Sequence, residues 1–510
     1  MTAALPPRRL RLLFFGFFGL AMLYVLPFWV VHRVPTTDGP CHTYNAWVLL
    51  HHGDARYPLF ARYYEVNGKP YPNWIGHGGM ALLMTAVPPA AAEKLFVSGY
   101  VLAFLAGAWY LAGSVRPEER WPAFLAFPFV YHQLFQYGFY NFSFSVAFFL
   151  FALGFWWRHR ERPTWRFALG INLLLGLCYL SHILSLALAL LAIALLWLAT
   201  LTRQGWRRHL WHVPILLPQL VLPLWFLSGQ GGESHPTAWS AGQLMGFFAG
   251  LQVLFTLGDV QRWLGIALAA LFLALLVVTA WRARRRGAEN AFLLLAVLLA
   301  VVYFVSPDGM AGGWLIKNRL SLYPFLVLLP WLSLRLEAGR QTIAAAALSL
   351  LAVLNLAYLT ERYRELGGEV EGYLAGLAPV KRDSRALALN FAHTGPTDVL
   401  SHAISWAAFE KGLVDWDNYE AKVDFFPVRF RRSVTLPDAP NLALAPGSYR
   451  VKPNADLVDA VYVWGRPPGD PLAKRLLRCY NLVAERDIGE LYEWRRHTGC
   501  RDDEQEGSGG

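Results

Sequence analysis

Residues 36–54 read TTDGPCHTYNAWVLLHHGD and follow directly on the apolar run LRLLFFGFFGLAMLYVLPFWVV. Asp-Gly-Pro is a turn, and Pro40 suits the first position of a helix. Asp38 and His42 stand four residues apart, so they can approach each other at that helix start. This pairing allows Asp38 to act as a general base, or to share a divalent cation with His42. A simpler role is also open, in which Asp38 only caps the helix. Other polar residues cluster at the ends of apolar segments. Lys317 and Arg319 open KNRLSLYPFLVLLPWL, Tyr140 and Asn141 lie in FQYGFYNFSFS, and His182 lies in YLSHILS. His77 lies in NWIGHGG, while Glu233 and His235 lie in GGESHP as a weaker pair of metal ligands.

What these residues can do depends on the elements that carry them. The chain has 510 residues, 55% of them hydrophobic and only 16% charged. Apolar runs near twenty residues recur through the first 360 positions, each long enough to cross about 30 Å of hydrocarbon. Continuous rather than alternating apolarity excludes a β-barrel. The net charge of +11 does not point to nucleic acid, because Lys and Arg gather in short gaps between apolar runs, as the positive-inside bias places them.

Taking those basic clusters as cytoplasmic predicts a polytopic α-helical membrane protein of about eleven transmembrane helices. The expected crossings are 10–32, 91–113, 121–136, 140–157, 167–181, 184–202, 209–228, 262–281, 289–306, 318–334 and 341–360. The first is read as a retained helix, since no small-residue cleavage site follows it. Residues 75–88 are too short to cross and are expected to form an interfacial or re-entrant helix. This layout makes residues 1–360 a transmembrane domain with large outer loops at 33–90 and 229–261. Residues 361–510 become an extracytoplasmic domain, α+β by its mixture of helical and alternating runs. Cys479 and Cys500 both fall there, where an oxidising exterior permits a disulfide and two free thiols are equally allowed.

One helix, an acidic motif early in a large outer loop, many crossings and an outer soluble domain together resemble the GT-C superfamily of integral-membrane glycosyltransferases. The type most similar is the protein mannosyltransferase or aminoarabinose transferase. DGPCHTYNAWVLLHHG keeps the Asp, Tyr44, Ala46 and Gly53 of that superfamily's motif, with Gly39 where a second acid is often found. KNRLSLYPFLVLLPWL resembles the helix start with which such enzymes approach a lipid phosphate. PNWIGHGGMALL resembles the Pro-rich entry to the loop's second helix.

The resemblance implies transfer of a sugar from a polyprenyl-phosphate donor to a lipid, glycan or protein acceptor at the outer face. The mechanism is expected to be inverting, with Asp38 and His42 catalytic and a divalent cation such as Mg or Mn on Asp38 and His42. Lys317 and Arg319 are expected to meet the phosphate, since Arg suits bidentate phosphate contact; snorkelling at a helix end is the alternative. Tyr44, His77, Tyr140, Asn141 and His182 complete the expected substrate set, although aromatics at an outer hairpin also form interfacial belts. A bacterial plasma membrane is the expected location, because the chain carries no ER-retention ending. A lipid or sugar transporter or flippase is the rival reading. A catalytically silent scaffold is a third, and Gly39 is its main support. The tail acids Asp415, Asp417 and Asp424 show no spacing that compels a site. No zinc motif, Walker-type phosphate loop or nucleophile elbow is present.

Overall fold

The computed structural model describes residues 6–201, 206–230, 234–282, 287–438, 442, 445–466 and 470–501. Among them, seven helices are long and apolar enough to cross a membrane: Pro7–Trp29, Pro89–Val115, Tyr140–His159, Ile183–Thr200, Asp259–Arg282, Ala288–Val305 and Ala338–Gly376. Trp165–Ser181 and His212–Ser228 are shorter apolar helices. The chain is a membrane protein with a separate α/β region. It divides into two compact units. The first holds residues 1–30, 70–75 and 97–362, and the second holds 31–69, 76–96 and 363–510.

In the first unit, Tyr140–His159 packs against Trp165–Ser181 and Ile183–Thr200. Thr164 starts the middle helix by accepting a hydrogen bond from Phe167 N. Two glycines let Pro89–Val115 and Tyr140–His159 close on each other. A Cβ on Gly107 would sit 3.1 Å from the Ala147 carbonyl, and one on Gly154 would sit 3.1 Å from Leu111 Cα. Without a hydrophobic force between helices in lipid, such backbone approach supplies much of the packing.

Three expected crossings are not continuous α-helices. Residues 121–136 form a 3-10 segment, Trp121–Phe129, and a single turn, Gln133–Gln136. Residues 318–334 contain only the short helices Ile316–Leu320 and Tyr323–Leu328. Residues 209–228 break into short α and 3-10 pieces. Prolines explain all three. Pro122, Pro128, Pro214, Pro218, Pro223, Pro324 and Pro330 remove backbone donors and clash one turn back.

The expected last crossing runs further than 360, as a 39-residue helix to Gly376. Its extension buries Tyr363, Leu366, Val370 and Tyr373, a three-and-four spacing that makes one apolar stripe.

That stripe belongs to the second unit, whose centre is a five-stranded sheet. The strand order is Val414–Asp415, Arg385–Asn390, Ala460–Trp464, Gly489–Trp494 and Tyr480–Glu485. The first three strands are parallel and the last two antiparallel. All five residues of Ala460–Trp464 are buried, as expected for a central strand. A separate ribbon pairs Tyr64–Val66 with Val428–Phe430, joining loop to tail. Arg33 makes another such tie. Its guanidinium donates to both oxygens of Glu371 (2.7 and 2.8 Å) and to Glu410 (2.7 Å), lying over the Trp406 ring. Cys479 and Cys500 form a disulfide.

Candidate functional site

Asp38 occupies the N-cap position of the helix Gly39–His51, yet its side chain makes no cap bond. Only its backbone carbonyl serves the helix, accepting from His42 N at 3.0 Å. The carboxylate faces elsewhere: Oδ2 accepts from the Tyr419 hydroxyl at 2.7 Å, and Oδ1 lies 3.6 Å from His402 Nε2. His402 is oriented by its other nitrogen, Nδ1, which is 2.8 Å from Asp417 Oδ2. Asp417 N donates to Asp415 Oδ1 at 2.9 Å, and Ser405 Oγ donates to Asp415 Oδ2 at 2.5 Å.

One turn along the helix, His42 meets a different carboxylate. Its Nδ1 lies 2.5 Å from Glu420 Oε1, and His77 Nε2 lies 2.8 Å from Glu420 Oε2. The two imidazoles stand edge to face with centroids 5.1 Å apart. Asn45, three residues after His42 on the same helix, donates to Glu420 Oε2 at 2.6 Å. Asn418 Nδ2 holds Asn45 Oδ1 at 2.8 Å, and Asn418 Oδ1 accepts from Cys41 Sγ, Asn45 Nδ2 and Ala421 N. Every one of these groups is in the second unit, and His42, His77 and Glu420 are all buried.

Burial pushes the Asp38 carboxyl up. The charges of His402 and His42 and the Tyr419 bond pull it back, and the net value stays above the ordinary Asp range. Glu420 goes the other way. Burial again raises it, but the two histidines hold its carboxyl well below the usual range. Burial lowers His402, yet Asp417 and then Asp38 outweigh that and take it up to about 9. Burial and the neighbouring Asp417 raise Asp415.

The His402 shift carries a stability prediction. A histidine whose folded value is raised stabilises fully below its unfolded value, near 6.5, and that contribution is lost as pH rises through about 9. The melting midpoint of the purified protein should therefore fall between pH 6.5 and 9, and the fall should be smaller in His402→Gln. Parallel curves for the two proteins would rule out His402 as the titrating group.

The remaining expected residues take other places. Tyr44 is wholly buried, and its hydroxyl donates to the Leu413 carbonyl at 2.6 Å. In the first unit, Lys317 is buried and its Nζ donates to the carbonyls of Tyr303 (3.0 Å) and Phe304 (3.1 Å) near a helix end. Arg319 Nη1 lies 2.6 Å from His182 Nε2, with the guanidinium over Phe139 and Phe142. His182 also caps Ile183–Thr200, its Nδ1 accepting from Leu184 N at 3.2 Å. Tyr140 and Asn141 are buried in the first turn of their helix. His235 stacks on Trp314 with centroids 4.4 Å apart, and Glu233 lies outside the described residues.

Sequence reasoning missed His402, Tyr419 and Glu420. A signal existed in DWDNYE, residues 415–420, where five polar or ionisable side chains surround one Trp. Among the described residues, His42, His77 and Glu420 are the group of three whose ligand atoms lie within 4.8 Å of one another. No protein-family model and no curated protein sequence matches the chain.

Proposed function

We propose that the chain is an integral-membrane glycosyltransferase of the GT-C type, taking a sugar from a polyprenyl-phosphate donor. The observation that supports this reading most is Asp38 itself. It is a buried carboxylate at a helix start that leaves the cap unmade and is held by Tyr419 and His402 instead. A carboxylate raised above its usual range is also a better proton acceptor near neutral pH.

In the reaction, the acceptor hydroxyl gives its proton to Asp38 while its oxygen bonds to the anomeric carbon. The bond from that carbon to the phosphate oxygen breaks, the electron pair leaves with the polyprenyl phosphate, and the anomeric configuration inverts. Tyr419 and His402 keep the carboxylate oriented. On this reading the proline-broken segments count among eleven crossings of a bacterial plasma membrane, with the tail outside. The Cys479–Cys500 disulfide supports an oxidising exterior for that tail.

The test is release of free polyprenyl phosphate by the purified protein from a panel of polyprenyl-phosphate sugars with lipid and glycan acceptors. Turnover of at least one donor is expected. No turnover across the panel, with lipid moved between vesicle leaflets, would replace this reading by a flippase.

A further inference from the structure

We propose that His42, His77 and Glu420 form a binding site for a divalent transition metal of the zinc class. The inference does not rest on the glycosyltransferase reading, since these residues would hold such an ion whatever reaction the chain performs.

Three observations carry it. The first is the donor set: two imidazole nitrogens and one carboxylate, with side chains 5%, 0% and 0% exposed, converge from three separate stretches of sequence. Two histidines and a glutamate, leaving a position for water, are a usual zinc arrangement. Nitrogen donors also select against magnesium and calcium, which prefer all-oxygen shells.

The second is charge. Asp38, Asp415, Asp417 and Glu420 are packed into one region; Asp38 and Asp417 pair with His402, Glu420 pairs with His42 and His77, and Asp415 is held by the Ser405 hydroxyl and Asp417 N. Unbalanced carboxylates are costly to bury, and a dication compensates two of them at once.

The third is the support around the ligands. Asn45 donates to Glu420 Oε2 at 2.6 Å, and Asn418 Nδ2 in turn holds Asn45 Oδ1 at 2.8 Å. Outer partners of this kind orient the ligands of metal sites. The helix Gly39–His51 presents His42 and Asn45 on adjacent faces, so one rigid element supplies both a ligand and its supporting bond.

The experiment uses the full chain, purified in detergent with an affinity tag free of histidine, stripped with chelator and reloaded with Co²⁺. One ion per chain is expected, giving visible d–d absorption that Zn²⁺ removes. His77→Ala and Glu420→Gln should each weaken Co²⁺ binding by about 100-fold or more, and Asn45→Ala by about 10-fold. His235→Ala should leave it unchanged. Equal binding by wild type and His42→Ala/His77→Ala would overturn the site. Where a variant fails to fold, the wild type decides. Zn²⁺ should raise the melting midpoint of the stripped protein, and the absence of any rise overturns the proposal.

Discussion

Asp38→Asn is expected to lower the turnover rate by about 10³-fold, the size usual for loss of a positioned general base, while leaving the melting midpoint unchanged. The substitution separates the two roles open to this residue. Asparagine caps helices as well as aspartate does, and its amide oxygen still accepts the Tyr419 hydroxyl bond that holds the native side chain. A residue serving only as a cap, or only as a partner for Tyr419, would therefore be replaced almost without cost. What asparagine lacks is the ability to take a proton. Wild-type activity should also fall as pH drops through the Asp38 value, which burial places above the ordinary range; below it the base is already protonated. The asparagine variant should lose that acidic limb. Turnover within about threefold of wild type would remove Asp38 from the chemistry.

The second large effect is structural. Asp459→Ala should destabilise the second unit by about 3 kcal/mol, in the range found when one partner of a buried ion pair is removed. Asp459 receives Arg385 N and Nε on Oδ2 (2.9 and 3.0 Å), and Arg385 Nη2 on Oδ1 (2.9 Å). Arg496 also reaches Oδ1 at 2.9 Å, but it is 65% exposed and contributes little. Arg385, only 20% exposed, cannot rehydrate fully once the carboxylate is gone. The loss falls where three strands begin or end. Asp459 N donates to the Arg385 carbonyl, and Trp494 N donates to the Asp459 carbonyl. Hydrogen exchange at Arg385–Asn390 and Ala460–Trp464 should accelerate together. A change below about 0.5 kcal/mol would class the pair with ordinary surface bridges. Burial raises the Asp459 carboxyl, but the Arg385 bonds lower it more. Its contribution is thus present above the ordinary carboxylate range and lost as pH falls through the lowered value.

Much of this was legible in residue order. Hydropathy alone marks the long apolar helices, and DGPCH marks the start of Gly39–His51 with Asp38 and His42 upon it. Hydropathy gave no sign of the helix breaks at 121–136 and 318–334, because a transfer scale counts side chains and ignores missing backbone donors. It also stopped the last long helix early. The charges in ERYRELGGEVEG look like a terminus, whereas burial of Tyr363, Leu366, Val370 and Tyr373 on one stripe carries the helix on. The pairing of His42 and His77 with Glu420 had no local trace. Nothing in the spacing of DWDNYE says which distant side chains it meets, since that is decided by tertiary packing.

The second unit draws on residues 31–69 and 76–96 as well as 363–510, and this gives its assembly a timetable. Asp38 leaves the ribosome about 380 residues before Glu420, a wait of roughly 20 to 75 s at ordinary synthesis rates. Throughout that interval the helix Gly39–His51 has none of its tail partners. His42, Asn45 and Tyr44, all buried in the finished protein, must be tolerated in the open or sheltered by insertion machinery. A nascent chain arrested before residue 415 should therefore leave this early loop fully open to protease.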